Sequence, residues 1–445
     1  MTFSFPRIAS WFATTIFVIV SSSAPAWAQF GLAVAGVGPI NRSMGGAAVA
    51  APIDAAGALF WNPATIGGLE RSEMVFGTEL LIPRTTITSR VGAGMLGPTT
   101  LAGTTGGNNG VFPLPTFALV YRPTDKESPW TYGIGFFEIG GFGTNYPVSR
   151  TNPILMPQAP FGRGVGPLYT QYQVFQIAPS VAYKLTDSLA LGLAANLDLG
   201  TFSANPSLFA PPTLLMTPQG PAPVYSSATG GRYRWGGGFQ AGIYYQSDSP
   251  WRFGAAVKSP QWFETFTYNS VSALGHPTTP KFNLDFPMIA SVGTAYTGFD
   301  RVLIATDFRF VDYRNTNGFR STGFDERGAL RGLGWQNVFA LAAGAQYLLT
   351  DALALRTGYT FSLNPVGNAV TSFNIGSPTI VQHSLSLGAS YEVTTALKLS
   401  IAYVHYFQNS ISGPIVEPFA GPVPGSSVRT AVAADSVILG ASVSF

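Results

Sequence analysis

The side chains that most often perform acid–base or nucleophilic chemistry are sparse in this sequence. It has 445 residues, no cysteine and only three histidines, His276, His383 and His405. A serine hydrolase needs a serine beside a histidine that a polar residue orients. His383 and Ser384 are neighbours in a segment that alternates like a β-strand, so their side chains point to opposite faces. We also find no spacing typical of a metal site, a P-loop or a dinucleotide-binding loop, and we expect neither catalysis nor a cofactor.

Charged residues are scarce as well. They make up 10% of the chain, whereas a soluble globular protein usually carries about 25%. The net charge of +3 gives no reason to expect a nucleic-acid partner, and 46% hydrophobic residues argue against disorder despite 51 glycines and 34 prolines. Much of the surface is therefore expected not to face water.

The first 28 residues have the composition of a secretory signal peptide. Arg7 supplies a positive charge, residues 8–20 are mostly apolar, and Ala26-Trp27-Ala28 forms an A-x-A cleavage pattern. The apolar part is shorter than the roughly 20 residues that a transmembrane helix needs. We expect cleavage after Ala28. No comparable apolar stretch follows, so a mature chain embedded in a membrane would not be embedded through helices.

From Ser72 onward, apolar residues alternate with small or polar ones. The pattern is clearest at 189–199, where leucine stands at positions 189, 191, 193, 197 and 199, and it recurs at 339–349, 385–393 and 437–445. A period of two gives a β-strand one apolar face and one different face. Several segments exceed the about 5–6 residues of most soluble strands and suit the about 9–11 residues of a membrane strand.

The connections between these segments alternate between short and long. The short turns lie at 124–128, 186–188, 247–250, 297–300, 350–351 and 394–395. The long loops lie near 91–113, 144–170, 205–231, 269–280, 314–333, 365–380 and 413–433. This sorting is typical of outer-membrane barrels, and a soluble β-sandwich has no reason to show it.

Counting the segments predicts fourteen strands, near 72–90, 114–123, 129–143, 171–185, 189–204, 232–246, 251–268, 281–296, 301–313, 334–349, 352–364, 381–393, 396–412 and 434–445. In lipid every backbone polar group must be paired, so strands can span only as a closed barrel. A terminal aromatic residue such as Phe445 is the feature that the barrel-assembly machinery is understood to read. We expect an all-β, antiparallel transmembrane barrel over residues 72–445, surrounded by the outer-membrane lipid of a Gram-negative bacterium.

Residues 29–71 do not alternate. They are rich in Ala and Gly with some Leu and Phe, a composition that favours burial rather than an exposed tail. The interior available to them is the barrel lumen. We therefore expect an N-terminal hatch, or plug, inside the barrel.

Three motifs of this segment carry a family resemblance. They are Arg42-Ser43-Met44-Gly45-Gly46-Ala47, Asp54-Ala55-Ala56 and Phe60-Trp61-Asn62-Pro63-Ala64. With the strand count and the terminal Phe, the segment resembles the hatch of FadL/TodX-type outer-membrane transporters of long-chain fatty acids and aromatic hydrocarbons. The resemblance implies that a hydrophobic ligand is captured at extracellular loops, held beside the hatch, and released sideways through a gap at a kink in the third strand.

Residues of this chain can be assigned to those steps. The loop expected to capture ligand contains the apolar residues Leu208, Phe209, Leu214, Leu215 and Met216, since exposed apolar clusters often mark binding sites. A second loop adds Ile154, Leu155, Met156 and Phe161. The alternative is that these loops pack on one another to cap the barrel.

Glycines of the third strand are the candidate lateral opening. Gly140, Gly141 and Gly143 favour a bulge or a bend, or alternatively pack against the hatch. Valine at positions 140 and 141 is expected to regularise the strand and close it, with folding unaffected. The run 236–238, Gly-Gly-Gly, is expected to pack against the hatch.

The triplet Asn62-Pro63-Ala64 is expected to hold the hatch in its gating position, beside the third-strand opening as the resemblance implies. Proline fixes φ, and asparagine readily bonds its own nearby backbone. The alternative role is to end a short helix before the first strand.

Cations of the lumen are candidates for holding a carboxylate, as they do in fatty-acid members of the family. Alternation places on the interior face Lys184, Arg252, Lys258, Arg309 and Arg356. Each could instead pair with Asp198, Asp307 or Glu392. A neutral hydrocarbon would need no cation, so the charge of the ligand stays open.

Two other functions compete with passive uptake of hydrophobic molecules. A general diffusion porin for polar solutes is disfavoured by the expected hatch and by the apolar loops. A scaffold for assembly of surface proteins has no positive sign in the sequence. The expected partners are a hydrophobic small molecule, membrane lipid and the insertion machinery.

Overall fold

The computed structural model describes residues 30–93, 99–125, 128–218, 220–230 and 232–445. The expected signal peptide, 1–28, lies outside the described residues. Among the described residues, no helix is long and apolar enough to cross a membrane.

Fourteen antiparallel strands of the described chain close into a barrel. They are β1 (Glu73–Val91), β2 (Phe112–Tyr121), β3 (Trp130–Tyr146), β4 (Leu168–Lys184), β5 (Leu189–Asn205), β6 (Arg234–Gln246), β7 (Trp251–Lys258), β8 (Met288–Phe299), β9 (Val302–Asp312), β10 (Val338–Leu348), β11 (Leu353–Ser362), β12 (His383–Glu392), β13 (Leu397–Gly413) and β14 (Ser427–Ser444). Each strand pairs with its sequence neighbour, and β14 closes the ring on β1 with Thr78 opposite Leu439. The predicted strand number and closed architecture are confirmed.

Alternation sorts the side chains between the two faces of the wall. On β5, Leu191, Leu193 and Leu197 are 38%, 61% and 51% exposed, whereas Asn196 and Asp198 are 2% and 0% exposed. The leucines therefore face outward and the polar residues face the lumen, as the sequence predicts.

On the long-loop side of the barrel, three strands begin or end at other residues than the sequence predicts. The predicted strand 251–268 ends at Lys258, because the Ser259-Pro260 segment turns the chain and proline cannot donate to a ladder. The predicted strand 281–296 begins only at Met288, and the last strand begins at Ser427, earlier than position 434.

Short strands and 3₁₀ turns build the long loops. The strands are Leu101–Gly106, Thr213–Thr217, Gly220–Val224, Trp262–Phe263, Phe266–Thr267, Ser270–Val271, Pro277–Thr278, Lys281–Phe282, Val416–Glu417 and Gly421–Pro422. The 3₁₀ turns are Pro153–Leu155 and Asn368–Asn374. These pieces fold the loops over one end of the barrel.

The N-terminal hatch fills the other end, beside the short turns. It contains helix α1 (Gly38–Ser43), helix α2 (Ala55–Trp61) and a 3₁₀ turn at Pro63–Gly68. The side chain of Asp54 caps α2 by accepting a hydrogen bond from the Gly57 amide. Nearly every residue of the hatch is buried, as expected for a plug inside the lumen.

Candidate functional site

A buried ion pair joins helix α1 of the hatch to the barrel wall. Arg42 donates from Nε and Nη2 to the two carboxylate oxygens of Glu79 on β1, each at 2.8 Å. The hydroxyl of Tyr406 on β13 accepts a further hydrogen bond from Arg42. Because both charged side chains are almost fully buried, this two-pronged contact fixes the hatch against β1 and β13.

A second ion pair holds the middle of the hatch. Asp307 Oδ2 on β9 accepts hydrogen bonds from the amides of Ala48 (2.7 Å) and Val49 (3.0 Å). Arg309 donates to the same oxygen at 2.6 Å and to the carbonyl oxygen of Gly46 at 2.7 Å. Its guanidinium also stacks 3.6 Å from the ring centroid of Trp61. The predicted lumen cation Arg309 is therefore engaged by the hatch.

The other candidate cations also have protein partners. Lys258 donates to Gln176 at 3.1 Å and lies over the ring of Phe60, and Arg356 donates to Gln346 and Ser390. Arg252 bonds Tyr244. Lys184 is exposed beside a short turn, where it pairs with Asp187 at 2.8 Å.

The Asn62-Pro63-Ala64 triplet binds the wall at β6. Asn62 Nδ2 donates to the carbonyl oxygens of Val49 (2.8 Å) and Ile243 (3.0 Å), and its Oδ1 accepts from the Ala64 amide (3.1 Å). The contact needs a glycine in the wall, since a Cβ at Gly242 would lie 1.9 Å from Asn62 Oδ1. The triplet thus both ends helix α2 and fastens the hatch, and its wall partner is β6 rather than the kink in β3.

The ladder between β2 and β3 breaks off partway along the wall. Their ladder runs only from Thr116–Phe137 to Tyr121–Tyr132, and beyond it β2 carries Pro115 and Pro113. At that point β3 has a bulge, because its register with β4 shifts between Glu138 and Gly140. The predicted irregularity of the third strand is therefore present, next to a stretch where β3 no longer pairs with β2.

The first residues of the hatch fill the missing ladder. Gly141 donates to the carbonyl oxygen of Leu32 at 2.9 Å, and Val34 donates to that of Ile139 at 3.1 Å. A Cβ at Gly140 would lie 2.5 Å from the Leu32 oxygen, and one at Gly141 would lie 2.3 Å from the Tyr172 oxygen. The expectation that valine at both positions leaves folding unaffected is therefore wrong, since both clashes are with backbone.

Three cavities with shared lining residues lie between the loops and the break in the β2–β3 ladder. The loop cavity has an open space of ≈ 1020 Å³ among several long loops and includes Ile154, Leu208 and Tyr225. The middle cavity, ≈ 480 Å³, shares Leu208 with it. The strand-three cavity, ≈ 830 Å³, shares Phe142 with the middle cavity and includes Gly141 and Gly143. Leu208 and Phe142 therefore each line two neighbouring cavities.

The predicted capture residues divide into two groups. Leu208 and Phe209 line the middle cavity, where Phe209 stacks near Phe202 and Phe282 with centroid distances of 5.5 and 5.0 Å. Leu214, Leu215 and Met216 lie on a projecting hairpin, and Met216 is 81% exposed. Of the two groups, only Leu208 and Phe209 line these cavities.

One loop-cavity residue is held in a neutral state. Burial, together with the nearby carboxylate of Asp325, raises the pKa of the Tyr225 phenol well above its usual value. Its hydroxyl donates to the carbonyl oxygen of Gly328 at 2.7 Å. The loop cavity therefore presents an uncharged aromatic wall at this point.

The histidines do not gather with a nucleophile among the described residues. His405 contacts Asp435 at 2.7 Å on the outer face, and His383 contacts Tyr359. Ser384 is buried while its neighbour His383 is half-buried. The predicted opposite orientation of these two residues fits this arrangement.

Sequence reasoning missed most of the cavity walls. Phe142, Phe202 and Tyr172 line the middle or the strand-three cavity. Aromatic residues in barrel strands are too common for the sequence to single these out. Glu138 gives a clearer signal, since it is a lone charge in the apolar run Phe136–Phe142, and ionisable residues at membrane depth are often functional.

A closed fourteen-stranded barrel with a buried N-terminal hatch defines a class of outer-membrane channel. Residues 17–445 match the family model of the outer membrane protein transport proteins (OMPP1/FadL/TodX). Because the match covers almost the whole chain, the protein belongs to this family. A search of curated protein sequences finds no match.

Solved structures of the same fold are distant in sequence. The toluene transporter TodX of P. putida has a TM-score of 0.67 and 15% identity, covering 92% of this chain and 99% of its own. The toluene transporter TbuX of Ralstonia pickettii has 0.63 and 19%, covering 92% and 98%. A FadL homologue of Pseudomonas aeruginosa has 0.68 and 16%, covering 93% and 100%. At these identities the likeness establishes the fold.

Proposed function

We propose that this protein is a passive channel that takes up hydrophobic molecules across the outer membrane and releases them sideways. The observation that carries the proposal is the set of three cavities, lined mostly by apolar residues, from the loops to the break between β2 and β3. Residues 1–28 would direct export and be removed, residues 29–71 would act as the hatch, and residues 72–445 would form the barrel.

The position of the hatch favours release through the wall, because a straight path along the lumen would be blocked. Ion pairs and hydrogen bonds bind it to β1, β6, β9 and β13, so the short-turn end of the lumen is filled. An apolar solute in the strand-three cavity would lie next to the part of β3 that pairs with the hatch residues 32–34 instead of with β2, and lipid would lie on the other side. Capture would begin at the loop cavity, which is lined by apolar residues such as Ile154, Leu208 and Val423.

The positions of the lumen cations favour an uncharged ligand. Arg252, Lys258, Arg309 and Arg356 all have protein partners. None of these four lines the middle or the strand-three cavity. Arg163 lines the loop cavity, but a carboxylate that moved on through the other two cavities would have no cation there, which is costly in an apolar environment.

Filling the strand-three cavity tests the route. In Gly143→Phe, a Cβ would lie 3.1 Å from the Thr170 carbonyl oxygen and 3.5 Å from the ring of Phe112, and we expect the new ring to enter the cavity. We expect uptake of radiolabelled ethylbenzene by cells expressing this variant to fall at least several-fold, while the barrel still shows heat-modifiable migration on a gel. Gly106→Phe is the matched control, because nothing lies within 4 Å of a Cβ there.

Liposome swelling separates this proposal from a diffusion porin. A porin would admit small sugars through the wild-type protein, and Gly143→Phe would not change that. Wild-type uptake of ethylbenzene by a correctly inserted Gly143→Phe variant would remove the lateral route.

A further inference from the structure

The strand-three cavity is lined mostly by apolar residues, and three polar atoms of its lining residues have no hydrogen-bond partner among the described residues. They are Glu138 Oε2, Tyr172 Oη and Thr379 Oγ1. Their residues line the cavity and are 5%, 1% and 7% exposed. Buried polar atoms are nearly always paired, so three unpaired ones on the lining residues of one cavity leave hydrogen-bonding capacity for an occupant to use.

Glu138 has an unusual place in the wall. It has the outward phase of Ile134 and Phe136 on β3, but the bulge and the missing β2 ladder leave it at the gap itself. Its carboxyl group is hydrogen-bonded by Gln173 of β4, and Oε2 remains free. A ligand that passes from lumen to lipid here has to pass this carboxyl group.

The charges around the cavity decide what kind of ligand fits. Among the described residues, no lysine or arginine lines the cavity. Arg42 lies behind Tyr406 and is engaged by both oxygens of Glu79. A buried carboxylate without a cation is unfavourable, so the neutral acid, which has both a donor and an acceptor, suits this place.

We propose that the strand-three cavity selects an uncharged hydrophobe that carries a hydroxyl group. The hydroxyl would donate to one of the free oxygens and accept from another, while the apolar body packs against Phe112, Phe142 and the ring of Tyr172. A plain hydrocarbon leaves the three atoms unpaired, and a carboxylate meets Glu138 with no compensating cation. This inference rests on the proposed uptake function and names its substrate class.

Three probes of one shape test the selectivity. They are 4-ethylphenol, ethylbenzene and 4-ethylbenzoate, titrated calorimetrically at neutral pH into the purified full chain in detergent, with empty micelles as the blank. We expect 4-ethylphenol to bind about tenfold more tightly than ethylbenzene, the factor that one net hydrogen bond supplies, and 4-ethylbenzoate to bind most weakly.

Variants locate the effect at Glu138. Glu138→Gln keeps a donor and an acceptor and should keep the preference, whereas Glu138→Leu should abolish it. Asp198→Asn is the control, because Asp198 is buried beside Gln176 and does not line this cavity. Should Glu138→Leu fail to fold, Tyr172→Phe and Thr379→Val each remove one hydroxyl and should each reduce the preference a few-fold.

The outcomes distinguish this inference from the function beneath it. Equal binding of 4-ethylphenol and ethylbenzene, or an unchanged preference in Glu138→Leu, would overturn the inference and leave hydrophobic uptake intact. Tightest binding of 4-ethylbenzoate would overturn it in favour of an acid carrier. If no probe binds and ethylbenzene is not taken up by cells, both proposals fail.

Discussion

The two ends of the lumen are built by different physics. The short-turn end contains the hatch, held by buried charges such as Arg42–Glu79 and Arg309–Asp307 and seated on glycines of the wall. Toward the loops, the middle cavity has no charged residue in its lining. The ring centroids of its residues Phe142 and Phe202 lie 6.2 Å apart, and they lie 5.4 and 6.1 Å from the ring of Tyr172 in the strand-three cavity.

This difference suits the two tasks of holding the hatch in place and letting a hydrophobic solute move. Directional contacts between buried charges hold one geometry, because breaking one leaves an uncompensated charge. Apolar contacts have no direction, so a hydrophobic solute can move along such a wall without losing a specific bond. The hatch end is therefore expected to resist change, and the loop end to tolerate it.

The largest effect should come from the buried pair. Arg42→Ala leaves Glu79 without its cation, and we expect the free energy of unfolding to fall by about 3–5 kcal/mol, measured by urea titration of the heat-modifiable form. A loosened hatch should also admit small sugars into liposomes. Lys184→Ala, which breaks an exposed pair with Asp187, should change neither measurement. Equal stability of the two variants would contradict the contrast between the two ends.

A smaller effect should follow from the hatch triplet. Asn62→Ala removes the donors to Val49 and Ile243 and leaves the buried Val49 carbonyl without this partner, a loss of about 1–3 kcal/mol. The barrel should still assemble, ethylbenzene uptake should fall, and sugars should stay excluded. The exposed Asn145→Ala serves as control. Wild-type uptake in Asn62→Ala would reduce the triplet to a structural turn, and a sugar leak would mean that it only holds the plug in place.

How much of this was visible in the sequence differs between the two ends. Alternation along β5 and the sorted turns predict the barrel, because a period of two is local. The hatch was visible through its composition. The wall positions that contact the hatch could not be predicted, since Gly242 and Gly192 meet Asn62 and Ala64 only after β5 and β6 are in register.

The cavities could not be derived from local pattern. The run 236–238 was expected to pack against the hatch, but Cβ atoms at Gly236 and Gly238 would instead meet Phe263 and Ser259 of the segment after β7. Long loops carry no periodicity, so the way that Leu208 joins two cavities depends on contacts distant in sequence.

The smallest change in stability is expected in the aromatic lining of the middle cavity. Phe202 lies where the middle cavity meets the rings of Phe209 and Phe282. In Phe202→Leu the wall stays apolar, so we expect a cost of roughly 1 kcal/mol, within the range of hydrophobic swaps. Removing the ring should widen the passage, so that uptake of a bulky hydrophobe such as radiolabelled biphenyl rises while that of ethylbenzene stays unchanged. Phe308→Leu, on the outward face, should alter neither. A loss of uptake for both solutes would show that the aromatic wall guides the ligand by specific ring contacts, and that the loop end is as exacting as the hatch.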